Sequence, residues 1–114
     1  MAQNRIPQVN ELVKREVARV LLREVDFPEG ALVTVVRVEA FPNLQGAKVY
    51  ISVIPEDKAK DALKALQREI FDIQQILNER LRMRPVPKIL WVLEKATAEV
   101  QRIEELLDQI KEKR

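Results

Sequence analysis

Apolar residues recur at helical spacing in three stretches of the chain. The first follows Pro7, which suits the first turn of a helix because no N–H is needed there, and predicts a helix over about residues 8–24. Its buried stripe consists of Val9, Leu12, Val13, Val17, Val20 and Leu21. Residues 59–81 exceed one ordinary helix without containing proline, and Asp72 with Gln75 predicts the capping box of a second helix there. Thr97 predicts the N-cap of a last helix, with an inner face of Val100, Ile103, Leu106, Leu107 and Ile110.

The segments between these helices have the patterns of strands. Residues 32–39 are rich in β-branched side chains and predict a strand, and residues 41–46 predict a loop because they contain three strong turn formers. The next strand, which Pro55 ends, alternates as a half-buried strand requires. One side carries Ala47, Val49, Ile51 and Val53, and the other carries Lys48, Tyr50 and Ser52. Residues 88–94 predict a third strand that is apolar on both faces.

The order helix, strand, strand, helix, helix, strand, with an added C-terminal helix, predicts an α+β fold. The first two strands are expected to form a hairpin. The helical connection makes the third strand parallel to the second, through a right-handed crossover. One mixed three-stranded sheet follows, with its helices mainly on one face. Because the third strand is apolar on both faces, the last helix is expected to cover part of the open side.

The composition narrows the possible chemistry. Without His or Cys the chain has no Ser-His-Asp triad, no thiol nucleophile, and no imidazole or thiolate metal ligand. Its two glycines cannot form a Gly-rich phosphate loop. We therefore expect a protein that is not an enzyme and holds no cofactor or metal. At 114 residues we expect a single domain over residues 1–114, with mobile ends at about 1–5 and 111–114.

The chain has no stretch near the ~18 apolar residues that a transmembrane helix needs. Its first residues also lack the apolar core of a signal peptide. These patterns predict a cytoplasmic protein with no membrane partner, and we expect it to be a monomer.

The cations are unevenly distributed along the sequence. Residues 80–88 contain Arg80, Arg82, Arg84 and Lys88 without an acid. A helix C-terminus attracts cations through its dipole, but four together favour phosphate binding, because Arg binds phosphate through two N–H groups. A second stripe, which Glu11 and Glu16 can neutralise as a solvated helix face, contains Lys14, Arg15, Arg19 and Arg23. The predicted phosphate contacts are Arg80, Arg82, Arg84 and Lys88, with Lys48, Lys14, Arg15 and Arg5 as weaker candidates.

Aromatic residues make up only 4% of the chain, which argues against a single-strand binder based on stacking. Tyr50 could stack on a base, but we expect it to pack under a neighbouring helix with its hydroxyl at the rim. Trp91 and the Phe residues are expected in core or hinge packing. No helix presents Arg together with Asn or Gln as a base-reading face, which argues against a DNA reader. Recognition is expected to depend on phosphates and RNA shape.

The predicted order of elements is that of the type II KH domain, and four segments resemble the ribosome-binding factor A family. They are RIPQVNELVKRE (residues 5–16), PNLQGAKVYISV (42–53), LRMRPVP (81–87) and RIEELL (102–107). The resemblance runs from about Arg5 to Ile110. It implies a non-enzymatic factor that binds the free small (30S) ribosomal subunit and assists its maturation, including late 16S rRNA processing. The family is also associated with growth in the cold.

The chain departs from the family at one motif. Ordinary KH domains grip the nucleic-acid backbone with a Gly-x-x-Gly loop between two helices, and this family has a kink marked by Ala-x-Gly in its place. Counting back from Arg84 places that motif at Glu69, Ile70 and Phe71, where neither small residue is present. Either the kink lies elsewhere or this member joins its helices differently.

Three hypotheses follow. The first is an RNA-binding assembly factor of the small subunit. The second is a protein-interaction module that docks on a ribosomal protein or an assembly GTPase through the acidic final helix, where residues 99–108 contain four acids and one Arg. Salt separates these two, because phosphate contacts weaken steeply as ionic strength rises. The third is a hydrolase that uses surface carboxylates, which predicts RNA cleavage by the purified protein.

Overall fold

A computed structural model describes residues 5–94 of the chain. In chain order it contains α1 (Arg5–Glu24), β1 (Leu32–Ala40), β2 (Gly46–Ile54), a short 3-10 turn (Glu56–Lys58), α2 (Ala59–Arg68), α3 (Ile70–Arg80) and β3 (Lys88–Leu93). This order confirms the predicted α+β fold. The first helix begins at Arg5, earlier than predicted, with Pro7 in its first turn. The predicted helix after Thr97, and its place over the sheet, lie outside the described residues.

The three strands form one sheet in the order β1-β2-β3. β1 and β2 are antiparallel, with Leu32 opposite Ile54, and the register shifts at a bulge between Val35 and Arg37. β2 and β3 are parallel, with Gly46 opposite Lys88. The predicted hairpin and the predicted parallel crossover are therefore both confirmed.

The core lies between the sheet and the helices. The β2 residues predicted to face inward, Ala47, Val49, Ile51 and Val53, are all at most 4% exposed. Ala47, Val49 and Ile51 pack in one cluster with residues of α1, α2 and α3, among them Val13, Val17, Leu66, Ile73 and Leu77. Ser52, which the alternation placed on the same side as Lys48 and Tyr50, is instead 5% exposed.

The helical run after Pro55 breaks at Glu69, and the prediction of an N-cap at Asp72 is wrong. Glu69 donates its N–H to the Ala65 carbonyl at 3.0 Å, and its own carbonyl accepts the N–H of Ile73 at 2.9 Å. Helical hydrogen bonds thus continue on both sides of the break. Because the chain bends without freeing a turn of N–H groups, it needs no side-chain cap, and Asp72 lies inside the first turn of α3.

Candidate nucleic-acid interface

Arg80 lies in the last turn of α3, where that helix meets α1. Its Nη1 is 3.6 Å from Oε2 of Glu16, whose side chain is only 13% exposed. Arg19, one turn further along α1, places its own Nη1 3.5 Å from the other oxygen of the same carboxylate. Glu16 therefore holds one arginine from each helix at the same place on the surface.

The cations of α1 and of the α3 end share this side of the molecule. Arg15, Arg19 and Arg23 are spaced four residues apart, so they follow one flank of α1. Arg19, Arg23 and Arg80 line one small depression together with Glu24. We call the surface formed by these side chains and the two arginines that follow α3 the arginine band, which consists of Arg15, Arg19, Arg23, Arg80, Arg82 and Arg84.

The last two members of the band come from the segment between α3 and β3, which runs beside the first half of α1. Arg82 and Arg84 line a groove of about 390 Å³ with Gln8, Val9, Leu12, Leu44 and Met83. Arg84 donates from Nη1 to the carbonyls of Met83 at 2.7 Å and Leu81 at 3.4 Å. This guanidinium thus stabilises the end of the helical segment, as the dipole interpretation of these cations predicts. Arg82 is exposed and bonds to no other residue in the part of the chain described.

The lysines predicted as RNA contacts lie apart from the band. The strand register puts Lys88 opposite Gly46 and Lys48 opposite Leu90, so both lysines project from the sheet face opposite α1, α2 and α3, which we call the open face because no other part of residues 5–94 covers it. Lys48 also lies opposite Glu39 of β1. Lys14 is half-buried and lies one helical turn after Asn10. Oδ1 of Asn10 accepts the Ala40 N–H at 2.8 Å, so this flank of α1 faces the end of β1 and not the arginine band. Arg5 begins α1. The structure therefore separates the predicted contacts into different surfaces.

A cluster on the open sheet face was missed by sequence reasoning. Arg37 stacks over the Tyr50 ring at 3.9 Å from its centroid, pairs with Glu94, and lies 3.4 Å from Glu39. The Tyr50 hydroxyl donates to Glu39 at 3.0 Å. The hydrogen bond to Glu94 is the largest cause that raises the pKa of the Arg37 guanidinium above its ordinary value.

Tyr50 packs under none of the described helices α1, α2 and α3, and the final helix, which was expected to cover part of this face, lies outside the described residues. Its ring lies on the sheet face away from α1, α2 and α3, because Tyr50 alternates with inward-facing Val49 and Ile51. The signal that would have found the cluster is the spacing of Arg37 and Glu39, which a strand places on the same face across from Tyr50.

The remaining aromatic predictions have mixed outcomes. Trp91 and Phe27 are half-buried and pack against the core cluster, as predicted. Phe71 is 70% exposed, so core packing is wrong for this residue, which follows the helix break on the surface of α3.

The helix break falls on the first residue of the segment aligned with the family's Ala-x-Gly. Glu69 has φ −95 and ψ 4, which a residue with a side chain adopts without a positive φ. Its carboxylate lies 3.6 Å from Nε of Arg68, so this negative charge has a partner beside it. The break therefore lies at the position to which the resemblance assigned the kink, although neither small residue is present.

Residues 5–94 contain neither a membrane-spanning helix nor a candidate metal site. None of the helices there has the length and apolar character that a membrane span requires. The same residues contain no group of three or more His, Cys, Asp or Glu side chains arranged to hold a metal ion.

A helix-break-helix crossover between two parallel strands, with a basic band beside it, defines a type II KH-like α+β domain. A family model described as ribosome-binding factor A matches residues 5–107. The chain belongs to the ribosome-binding factor A family.

Relatives agree with this assignment, and two solved structures share the fold. The protein named ribosome-binding factor A from Bdellovibrio bacteriovorus is 36% identical over 107 residues, covering 93% of this chain and 80% of that protein. The one from Halothermothrix orenii is 32% identical over 113 residues, covering 98% of this chain and 93% of that protein. The crystal structure of ribosome-binding factor A from Thermus thermophilus has a similar fold, with a TM-score of 0.66 at 23% identity, covering 77% of this chain and 93% of that one. A solution structure of a Thermotoga maritima protein, described as a putative ribosome binding factor A, has a TM-score of 0.58 at 22% identity, covering 78% of this chain and 90% of that one.

Proposed function

We propose that this protein is a ribosome assembly factor that binds the free small (30S) ribosomal subunit through its 16S rRNA and assists its late maturation and rRNA processing. It acts in the cytoplasm as a monomeric single domain, without catalysis and without a cofactor. Family membership supports the ribosome as the partner, since the relatives carry ribosome binding in their names.

The observation that carries the RNA contact is the arginine band. Arginines from α1 and from the end of α3 share one surface, and Glu16 draws Arg19 and Arg80 to the same point. Guanidinium groups bind phosphate through two N–H donors, and each phosphate that they neutralise releases counterions. Such a surface binds folded RNA through its backbone and shape, as expected for a chain with few aromatic residues.

The other predicted contacts, three lysines and Arg5, would bind RNA outside the arginine band. Lys48 and Lys88, on the open sheet face, would form a second contact on the side opposite the helices. Lys14, on the other flank of α1, and Arg5, at the start of that helix, would add contacts outside the arginine band.

Complementation tests the maturation role directly. A bacterial strain lacking its own ribosome-binding factor A should accumulate unprocessed 16S rRNA, and this chain should restore the mature length. A variant with Arg15→Glu and Arg82→Glu should be produced at the same level and leave the precursor in place. Full rescue by that variant would remove the arginine band from the proposal.

One observation favours the alternative of a module that docks on a ribosomal protein or an assembly GTPase. A groove of about 330 Å³ between α1 and β1 has an apolar lining that includes Phe27 and Val33. Leu22 and Leu32, on its rim, are 87% and 57% exposed. Binding through this groove would persist at high salt and would be lost in a variant with Leu22→Asp and Leu32→Asp. The acidic final helix, which the sequence suggested for this role, lies outside the described residues.

A further inference from the structure

A groove at one end of the arginine band has both an apolar floor and cations at its rim. It lies between the start of α1, the loop from β1 to β2, and the segment after α3, and it encloses about 390 Å³. This volume is within the range of roughly 300–1,000 Å³ that small-molecule sites occupy. The floor consists of Val9, Leu12, Leu44 and Met83, all of them half-buried.

The loop that supplies Leu44 is held in one conformation. The Phe41 N–H donates to the Gly46 carbonyl at 2.8 Å, and the Leu44 N–H donates to the Phe41 carbonyl at 2.8 Å. The Gln45 N–H donates to Oδ1 of Asn43 at 3.0 Å. Leu44 itself has φ 59, a left-handed conformation that is rare for a leucine and is sustained by these bonds. The groove is thus formed before anything binds in it.

The polar groups of the groove suit a nucleotide. Arg84 uses Nη1 on two backbone carbonyls, which fixes its guanidinium while Nε and Nη2 keep their hydrogens for another acceptor. Arg82 is exposed, and Gln8 adds an amide that can both donate and accept. Among residues 5–94, those that line the groove include no acid. An apolar floor with two cations and one amide matches a planar base joined to a phosphate.

We propose that this groove receives one unstacked nucleotide from a single-stranded segment of rRNA. The base lies on the apolar floor, Arg84 and Gln8 contact its edge, and Arg82 binds the adjacent phosphate. This inference rests on the proposed function for the source of the RNA. It adds a contact to an individual base at a site separate from the helix break, because α3, with 11 residues, spans about 16 Å between the two.

The composition of the chain supplies a direct probe of the groove. Its two methionines are Met1 and Met83, so a protein labelled with carbon-13 at the methionine methyls gives one signal from the groove floor. Single-stranded oligoadenylate should shift the Met83 methyl signal upfield through the ring current of the bound base. An abasic ribose-phosphate oligomer of the same length should leave it nearly unmoved and bind about tenfold more weakly, because it lacks the base contact.

A matched pair of variants locates the effect. Gln8 is exposed at the groove, so Gln8→Trp should fill it and abolish both the Met83 shift and the tenfold preference. Gln67→Trp, on the exposed side of α2, should change neither. Arg82→Gln leaves the groove open and should weaken both oligomers alike.

An unmoved Met83 signal at saturating oligoadenylate would overturn the proposal. Equal shifts with the abasic oligomer or with polyglutamate would also overturn it, by showing that charge alone binds there. If only the groove proposal is wrong, the protein still binds the small subunit in a salt-sensitive manner. If the proposed function is wrong, the protein does not bind the subunit, even if oligoadenylate enters the groove.

Discussion

Arg80, at the end of α3, lies 3.6 Å from Glu16 in the middle of α1. Arg19 lies 3.5 Å from the same carboxylate. Two groups of cations that are far apart in sequence therefore meet at one acid. The Glu16 carboxylate organises the arginine band and at the same time places a negative charge inside it.

Glu16→Gln should strengthen binding to the small subunit. The change keeps the size of the side chain and removes the one negative charge that both arginines share. The free energy of unfolding should change by less than about 1 kcal/mol, because both arginine partners are largely solvated and lie 3.5 and 3.6 Å from the carboxylate. Affinity at low salt should rise roughly two- to fivefold, which corresponds to at most about 1 kcal/mol. Glu29→Gln, in the exposed turn after α1, is the matched control, and an equal gain there would contradict the role of Glu16.

Arg15→Glu with Arg82→Glu should weaken binding and reduce its dependence on salt. Both side chains are exposed, so the fold should be retained. If each arginine contacts one phosphate, the slope of log K against log salt should become less steep by roughly 1.5. Lys60→Glu with Lys64→Glu, on the surface of α2, changes the net charge equally. The same loss in that control would show that total charge, and not the band, determines the affinity.

Gly46→Ala should destabilise the protein. A Cβ at this position would lie 2.8 Å from a ring carbon of Phe41, closer than packed carbons tolerate. The expected loss in the free energy of unfolding is roughly 1–3 kcal/mol, measured by denaturant titration. In a Phe41→Leu background the same change should have an effect below about 0.5 kcal/mol, because the obstructing ring edge is gone. An undiminished loss in that background would mean that another contact is responsible.

Arg37→Gln should lower the stability of the sheet more than Tyr50→Phe does. The first change removes the contacts with Glu94, Glu39 and the Tyr50 ring together. The second keeps the ring and loses only the hydroxyl bond to Glu39, so its effect should stay within about 0.5 kcal/mol. Thermal unfolding at low and high salt measures both. If Tyr50→Phe were the more damaging change, the hydroxyl would be the main element of the cluster.

The alternation along β2 predicted the core face because a residue's side in a strand depends only on its position. Ala47, Val49 and Ile51 are fully buried for that reason. The break between α2 and α3 was not predictable in the same way. Glu69 bends the helix without glycine, proline or a capping side chain, so no local signal marks it. The bend depends on how the two helices pack on the sheet, which the spacing of apolar residues does not show.

The candidate interface was predicted in composition but not in arrangement. Arg80 and Arg82 were singled out because they lie close in sequence, and their position beside α1 depends on tertiary packing. Lys88 follows them closely in sequence, yet the start of β3 turns it onto the open sheet face. Lys14 and Arg15 are adjacent in sequence but lie on different flanks of α1. Residues that are adjacent in sequence can lie on different surfaces, because successive side chains of a helix or strand point in different directions.

The central claim is that the chain binds the small ribosomal subunit through phosphate contacts. Sedimentation of the purified protein with separated small and large subunits, across a salt series, tests it most directly. We predict that the protein binds the small subunit alone and that its affinity falls steeply as salt rises. Absence of binding at low salt, equal binding to both subunits, or binding that salt does not change would contradict the claim.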